Sequence, residues 1–570
     1  MIAAETPTTK RADWTSAGFI LACALIVVSP LAVRGNSCGH DFDFHLQSWM
    51  DVARQWHQGV WYPQWISSAN YGAGEPRLVF YPPASWLLGG VLGALFPWSA
   101  APFVLILLCV LGAGLTFYWF ARAWLGVQPA RTAACLYAAN PYLLFVVYER
   151  GAIGELLAAV WIPLVLLFVL ERRSSIVPLS LAIAAAWLTN APAAVMVCYT
   201  VALLAVFVAL HDKQWKPILR AGAAAALGIG VAAFYIVPAA YERRWVEIDR
   251  AIGPDMRVED SFLFMHTGEA FHDQVLRTAS IIAVVLLLVG GLGAWRALRM
   301  EKYKSGITRA LTLLLAAVAI LLLPVSEMLW EFAPELKFLQ FPWRWLLVAA
   351  AATAFLAGAA TQEFRIKRPM VSAAAVLAVV VALTAVAARY YWQPCDDEDA
   401  VSAQVRTFQD GAGFEGTDEY TPRNADNSAI QQGLPAVRLL ARPDEDAADI
   451  SGEPNPQWAG KPSLAQVVIE DWSVTHKTFR VESQTAGFAV LRLMDYPAWR
   501  VRVNGREAGA RPHRNDGLMT IAVTSGTNKV DVWSARTTDT MWGCGLSFAA
   551  LGALIALAVR EKKQKKVRIS

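Results

Sequence analysis

The sequence predicts an α-helical polytopic membrane protein of about 12 transmembrane helices, with a C-terminal β-sandwich on the extracytoplasmic side. Three observations predict it. Hydrophobic residues are 56% of the chain and charged ones only 17%, against about 25% charge in a soluble domain; mean hydropathy is +0.38. Apolar runs long enough to cross a bilayer recur along most of the chain. Between 466 and 534 the pattern changes to period-two alternation broken by turn signals. The 23 tryptophans suit a protein with much interfacial surface. The net charge of +4 is small and unevenly placed; it argues about topology, and nucleic acid is not an expected partner.

The first span covers Ala17 to Val33. Lys10 and Arg11 flank it, but Asn36-Ser37-Cys38-Gly39 is a poor cleavage site, so this helix is expected to be retained. Further spans are expected near 99–121, 130–148, 152–170, 176–190, 191–210, 218–240, 277–297, 307–324, 344–361, 370–390 and 540–559. The run Pro82 to Phe96 is shorter and Gly-rich, and whether it crosses decides the orientation of everything after it. If it does not cross, and the N-terminus is inside, every basic cluster falls on one side. These are Arg122/Arg131, Arg172/Arg173, Lys213/Lys216, Arg296/Arg299/Lys302/Lys304, Arg365/Lys367/Arg368 and the tail Arg560 to Arg568. If it crosses, the internal clusters flip outside, against the positive-inside rule. The expectation is a multi-pass protein of a bacterial inner membrane with both ends cytoplasmic and Pro82 to Phe96 re-entrant or on the surface.

Three regions follow. Residues 1–390 form the transmembrane domain, with 35–98 as a periplasmic first loop. Residues 391–539 form a periplasmic domain, acidic and irregular at first (Cys395-Asp396-Asp397-Glu398-Asp399), then β-rich. Its expected strands are Gln466–Trp472, Thr478–Ser483, Phe488–Leu493, Trp499–Val503, Leu518–Val523 and Lys529–Ser534, with Asn504-Gly505 suited to a two-residue hairpin. Residues 540–570 are the last helix and a basic tail.

The chemistry gathers around Gly39-His40-Asp41-Phe42-Asp43-Phe44-His45, which puts two carboxylates and two imidazoles in seven residues just beyond the first span. Charges held where a membrane segment ends are costly to desolvate, which marks them as functional candidates. The plainer reading is that Asp43 caps the next helix, Phe44 to His57. On the same outer face the topology places Glu149, Arg150, Glu155, Arg243, Lys337 and Arg344. Glu155 stands out, because a lone carboxylate in an apolar run needs a partner or a task. An outward carboxylate beside arginines at lipid depth fits transfer of a sugar from a polyprenyl phosphate to an extracytoplasmic acceptor. Asp41 is then the general base on an acceptor hydroxyl. Arg344 binds the leaving phosphate, for which a guanidinium's planar fork is suited. Asp43 and Glu155 are the further catalytic candidates. His40, His45, Glu149, Arg150, Lys337 and Arg243 are the substrate-binding ones.

Gly39-His40-Asp41-(x3)-His45, Gly59-Val60-Trp61-Tyr62-Pro63-Gln64-Trp65, Tyr71-Gly72-Ala73-Gly74 and Phe80-Tyr81-Pro82-Pro83 together resemble the opening of a family of polytopic bacterial membrane proteins. These are the 6-pyruvoyl-tetrahydropterin synthase-related proteins, similar in turn to GT-C-fold glycosyltransferases. Glu149-Arg150-Gly151-Ala152-(x2)-Glu155, Thr189-Asn190-Ala191-Pro192, Gln340-Phe341-Pro342-Trp343-Arg344 and Tyr496-Pro497-Ala498-Trp499-(x3)-Val503-Asn504-Gly505 match the same pattern. The resemblance implies a GT-C-like transmembrane domain, a first outer loop with a catalytic aspartate at Asp41, and surface helices. Asp43 is an extra carboxylate that the family does not require, and Asn190 stands where relatives often have histidine.

Some GT-C enzymes use a divalent ion, and Asp41 with Asp43 are the residues that would hold Mg2+ or Mn2+. The competing class is a non-enzymatic lipid or glycolipid transporter, or an envelope-assembly scaffold. A transporter is expected to show broken helices or paired repeats at mid-membrane, whereas the ionisable residues here gather at the outer surface. Of the seven cysteines, Cys38 and Cys395 alone fall outside expected spans. An oxidising periplasm permits them to pair; unpaired thiols are the reading favoured in the absence of distance information.

Overall fold

The computed structural model describes residues 7–171, 175–254, 256–299, 306–361, 369–443 and 465–567. Arg172, Arg173, Lys302, Lys304, Arg365, Lys367, Arg368 and Arg568, used above for the charge argument, lie outside the described residues.

All twelve expected stretches contain helix, but they are not twelve simple spans. Among the described residues eight helices are long and apolar enough to cross a membrane: Asp13–Arg34, Ala101–Arg122, Ile153–Leu170, Ala191–Asp212, Ala270–Arg299, Pro342–Thr361, Met370–Tyr390 and Thr538–Gln564. Two further runs are bent pairs, Lys216–Val231 with Ala233–Trp245 at 76° and Gly306–Leu321 with Pro324–Phe332 at 93°. Ile176–Thr189 has 14 residues, about 21 Å of helix. The stretch 130–148 is divided at Asn140-Pro141. Proline disfavours helix at the residue before it, and the Asn140 side chain accepts from the Tyr142 and Leu143 N–H groups to start the new helix Pro141–Phe145. A π-helical turn, Val146–Arg150, follows. Pro83–Leu95 is a helix of 13 residues, about 20 Å long and short for a span. It lies along the amphipathic helix Phe42–His57, where Gly89 and Gly90 leave room for the Trp49 and Trp56 rings. Elsewhere glycines let helices touch backbone to backbone, as Gly293 does at Leu356 and Gly543 at Ala233.

The C-terminal strands are β1 (Val437–Leu440), β2 (Ala465–Trp472), β3 (His476–Ser483), β4 (Gly487–Met494), β5 (Trp499–Val503), β6 (Arg506–Glu507), β7 (Leu518–Val523) and β8 (Gly526–Ser534). They form two antiparallel sheets, ordered β1-β4-β7 and β2-β3-β8-β5-β6. Alternate residues point inward, so Phe479, Val481, Leu491, Trp499, Ile521, Val530 and Val532 share one core. Asn504 and Gly505 turn β5 into β6 with φ of 53° and 80°, as a type I′ turn requires. Strands β1 and β6 are additions to the expected set.

The sandwich stands on the end of the bundle that carries the first loop. Trp65, Phe80 and Trp245 pack against its core, with Trp65 edge-on to Trp499 at 5.5 Å. Cys38 and Cys395 are joined in a disulfide with Cα atoms 4.9 Å apart, which overturns the free-thiol expectation. Separated by 357 residues, they are brought together by folding alone. Backbone pairing flanks the bond: Cys38 N–H donates to Gln393 O (3.0 Å), and Gln393 N–H to Ser37 Oγ (3.0 Å).

Candidate active site

The segment 38–42 lies along the turn that closes the π-helical segment. Asp41 N–H donates to Arg150 O at 2.9 Å and Phe42 N–H to Gly39 O at 2.9 Å. Gly39 is required by the close approach: a Cβ there would strike Glu149 O and come within 2.7 Å of Arg150 C and Gly151 N. Gly151, at φ 62°, supplies the left-handed residue that ends the turn. The backbone thus fixes Asp41 beside Arg150 before any side chain is considered.

Asp41 is the N-cap of Phe42–His57, yet its side chain makes no capping hydrogen bond. Neither aspartate has the capping role of the plainer reading. The Asp41 carboxylate is 42% exposed and lies 3.6 Å from Arg150 Nη2. Arg150 Nη1 in turn donates to Glu155 Oε2 at 2.5 Å, and the Tyr142 hydroxyl donates to Glu155 Oε1. Arg344 Nε is 3.8 Å from Glu155 Oε2, and this buried N–H has no hydrogen-bond partner. The Arg150 guanidinium sits 5.0 Å over Trp343, which stacks on Phe341 at 4.8 Å; Arg344 lies 5.2 Å over Phe341. Two arginines, one buried carboxylate and one half-exposed carboxylate therefore share a wall with a flat aromatic backing.

That wall belongs to a cavity of roughly 1680 Å³ that His40, Asp41, Asp43, Arg150, Glu155 and Arg344 all line. Its opposite wall comes from the acidic segment after Cys395: Asp397, Glu398, Asp399, Gln404 and the stretch Gly413–Tyr420. A buried cluster fastens that stretch to the first loop. Glu75 accepts from Arg77 Nε (2.6 Å) and Thr417 N–H (2.8 Å), while Arg77 Nη1 donates to Ser48 Oγ (3.1 Å). Tyr71 N–H to Phe414 O and Phe414 N–H to Ser68 O, both 2.8 Å, complete the seam. Burial, with the Glu75 charge adding to it, raises the Glu419 carboxyl to about 7. Burial likewise raises Asp43, and it lowers His40, helped by the Arg150 charge.

Three expected site residues stand elsewhere. His45 is buried among Phe44, Trp49 and Tyr81, and burial lowers it to about 4. It shares the inner face of its helix with buried Phe42, three positions before it, and buried Trp49, four after it. Glu149 is buried against Gln393, behind the turn, and is not on the cavity wall. Lys337 lines a neighbouring hollow instead, and Arg243 stands on the rim between the two. Asp41 and Asp43, the pair expected for a metal ion, both line the cavity. Among the described residues no group of three or more His, Cys, Asp or Glu side chains is gathered to hold one. Mg2+ commonly takes only one or two carboxylates from a protein, so Asp41 and Asp43 would be the residues to hold it.

Sequence reasoning passed over Tyr142 and Trp343, although Trp343 stands inside a quoted motif. It also missed the Glu75–Arg77–Thr417 clamp and Glu419. The aromatic run Gln340-Phe341-Pro342-Trp343 was the available signal for Trp343; nothing local marks Tyr142, the clamp or Glu419.

Against known proteins, the chain matches no curated sequence. Among solved structures it is similar to the Archaeoglobus fulgidus oligosaccharyltransferase in its apo form (16% identity, 67% of this chain and 57% of that one, TM-score 0.42). It is also similar to the A. fulgidus oligosaccharyltransferase AglB in complex with an inhibitory peptide and a dolichol-phosphate (14%, 68% and 57%, TM-score 0.43). A third is the arabinofuranosyltransferase AftD from Mycobacteria (13%, 94% and 58%, TM-score 0.40). The chain spans less than two thirds of the length of each. The profile of a membrane-protein family, described as the 6-pyruvoyl-tetrahydropterin synthase related domain, matches residues 78–395. That match covers more than half of the sequence, so the chain belongs to the 6-pyruvoyl-tetrahydropterin synthase related family of membrane proteins.

Proposed function

We propose that this protein is a GT-C-type membrane glycosyltransferase that moves a sugar from a polyprenyl-phosphate donor to an acceptor hydroxyl on the extracytoplasmic face. The observation that carries the reading is the pairing in one cavity wall of a solvent-reachable carboxylate, Asp41, with two buried guanidiniums, Arg150 and Arg344. A base must reach the proton it takes, and Asp41 is 42% exposed. A leaving phosphate needs fixed positive charge away from water, and Arg344 keeps an unused buried N–H.

In the reaction the acceptor oxygen attacks the anomeric carbon as Asp41 takes its proton. The bond from that carbon to the phosphate oxygen breaks, and polyprenyl phosphate leaves with the electron pair. Arg344 holds the departing phosphate. Arg150, tied to both Asp41 and Glu155, holds the Asp41 carboxylate in place, while Glu155 balances the two arginines. Asp43 is a second carboxylate of the same wall, kept closer to neutrality by burial. The one-sided basic clusters support the extracytoplasmic placement, with the bilayer holding the donor's lipid tail.

The test is a panel of polyprenyl-phosphate sugars offered to the full chain in lipid nanodiscs, with release of polyprenyl monophosphate as the readout. Release from at least one donor, dependent on an added acceptor, is expected. Saturable donor binding with no release across the panel would favour the transporter or scaffold reading.

A further inference from the structure

Beside the main cavity lies a second hollow of roughly 480 Å³, sharing Arg243, Ile248, Glu335 and Phe338 with it. Four cations line it, Arg243, Arg244, Lys337 and Arg423, against three carboxylates, Asp249, Glu331 and Glu335. Glu335 already faces Arg243 at 3.5 Å. Two of the cations are held by backbone that is zipped together across the sequence. Arg423 N–H donates to Trp245 O (3.0 Å), Glu247 N–H to Thr421 O (2.9 Å), and Asn424 N–H to the Glu247 carboxylate (2.5 Å). The Arg244 guanidinium is laid over the Tyr241 ring at 3.5 Å. The positive rim is thus built, in part, before any ligand arrives.

Phe332, Ala333 and Pro334 also line the hollow, and Phe332 ends an apolar row turned outward beside it. Pro324–Phe332 breaks from Gly306–Leu321 at 93°, so it runs across the bundle's edge instead of along a span. Val325, Met328, Leu329 and Phe332 on it are 79%, 73%, 51% and 73% exposed. Large apolar side chains bared in a row after a span, leading through Phe332 to a hollow lined by four cations, match a membrane lipid with an anionic head. A soluble anion would use the cations and leave the apolar row without purpose.

We infer that this hollow binds the phosphate-monoester head of a membrane lipid, separately from the main cavity. Basic side chains recognise the dianion and Pro324–Phe332 lies against the tail. The assignment rests on the proposed function in one respect: such a monoester is what transfer from a polyprenyl phosphate would release, and the shared wall offers it a resting place one step from the reaction.

Native mass spectrometry of the full chain in phosphatidylcholine nanodiscs, with polyprenyl monophosphate as the probe, tests both sites at once. The wild type is expected to take two probe molecules, and Arg344→Gln one. Lys337→Ala with Arg423→Ala, both exposed positions, is expected to weaken binding of the other probe molecule by about tenfold or more, so that it is lost at the probe concentration that fills the wild type. A double variant that still binds two would overturn the inference, as would inorganic phosphate displacing the second probe molecule. A single wild-type site lost in Arg344→Gln and kept in the double variant would also overturn it. A single site lost in the double variant and kept in Arg344→Gln would support it and defeat the role given to Arg344 above.

Discussion

Glu155→Gln is the substitution whose consequence the structure specifies most closely. The carboxylate is 3% exposed and is shared among Arg150, Arg344 and the Tyr142 hydroxyl. Glutamine keeps the size and one acceptor oxygen but removes the charge, leaving two buried guanidiniums with only the half-exposed Asp41 as a counter-ion. Removing one partner of a buried ion pair costs about 3–5 kcal/mol, because the charge left behind is uncompensated. The surface pair Arg480–Glu470, with side chains 49% and 31% exposed at 2.7 Å, is the control; Glu470→Gln should cost less than about 1 kcal/mol. Unfolding of each variant would be followed in detergent by SDS titration. Combining Glu155→Gln with Arg344→Gln restores the balance of charge, so the pair should be more stable than Glu155→Gln alone. A Glu155→Gln protein as stable as Glu470→Gln would refute the reasoning, and so would a double variant whose losses simply add.

Other consequences follow from the same geometry. His45 is held neutral, with its folded value near 4 against the usual 6.5, so the unfolded chain binds the extra proton first. Stability is then full above about pH 6.5 and falls by about 3 kcal/mol as the pH drops to 4. Unfolding midpoints measured across that window should flatten in His45→Gln, and an unchanged slope would contradict the assignment. Cys38 and Cys395 should appear as a linked peptide in non-reducing mass spectrometry, and Cys38→Ser should lose about 2–4 kcal/mol; free thiols at both positions would end that reading. Gly39→Ala should lower transfer at least about tenfold by pushing the loop away from Glu149 and Arg150. Wild-type transfer by Gly39→Ala would show that the close contact does not set the position of Asp41.

Legibility in the sequence followed the range of the interaction. The β-sandwich was readable because alternation is local: Trp499–Val503 and Leu518–Val523 begin and end where expected. The apolar stretches were readable as helices for the same reason, but the breaks at Asn140-Pro141 and at the two bends depend on how neighbours satisfy the backbone. At the site, Asp41, Arg150, Glu155 and Arg344 come together although they lie on three separate segments, and the shared quality that marked them was charge at the end of an apolar run. Charge alone also marked His45, Glu149 and Lys337, which face elsewhere, since it says nothing of side-chain direction. The acidic wall from Asp397 to Tyr420 was opaque: its shape is imposed by Glu75, Arg77 and the Cys38–Cys395 bond, all distant in sequence.

The most direct measurement of the central claim is the transfer rate of Asp41→Asn beside Asp43→Asn, with donor binding recorded for both. The account predicts that Asp41→Asn folds and binds donor like wild type while its rate falls by about 10²–10⁴-fold, and that Asp43→Asn retains most of its activity. Full transfer by Asp41→Asn, with the loss appearing instead in Asp43→Asn, would contradict it.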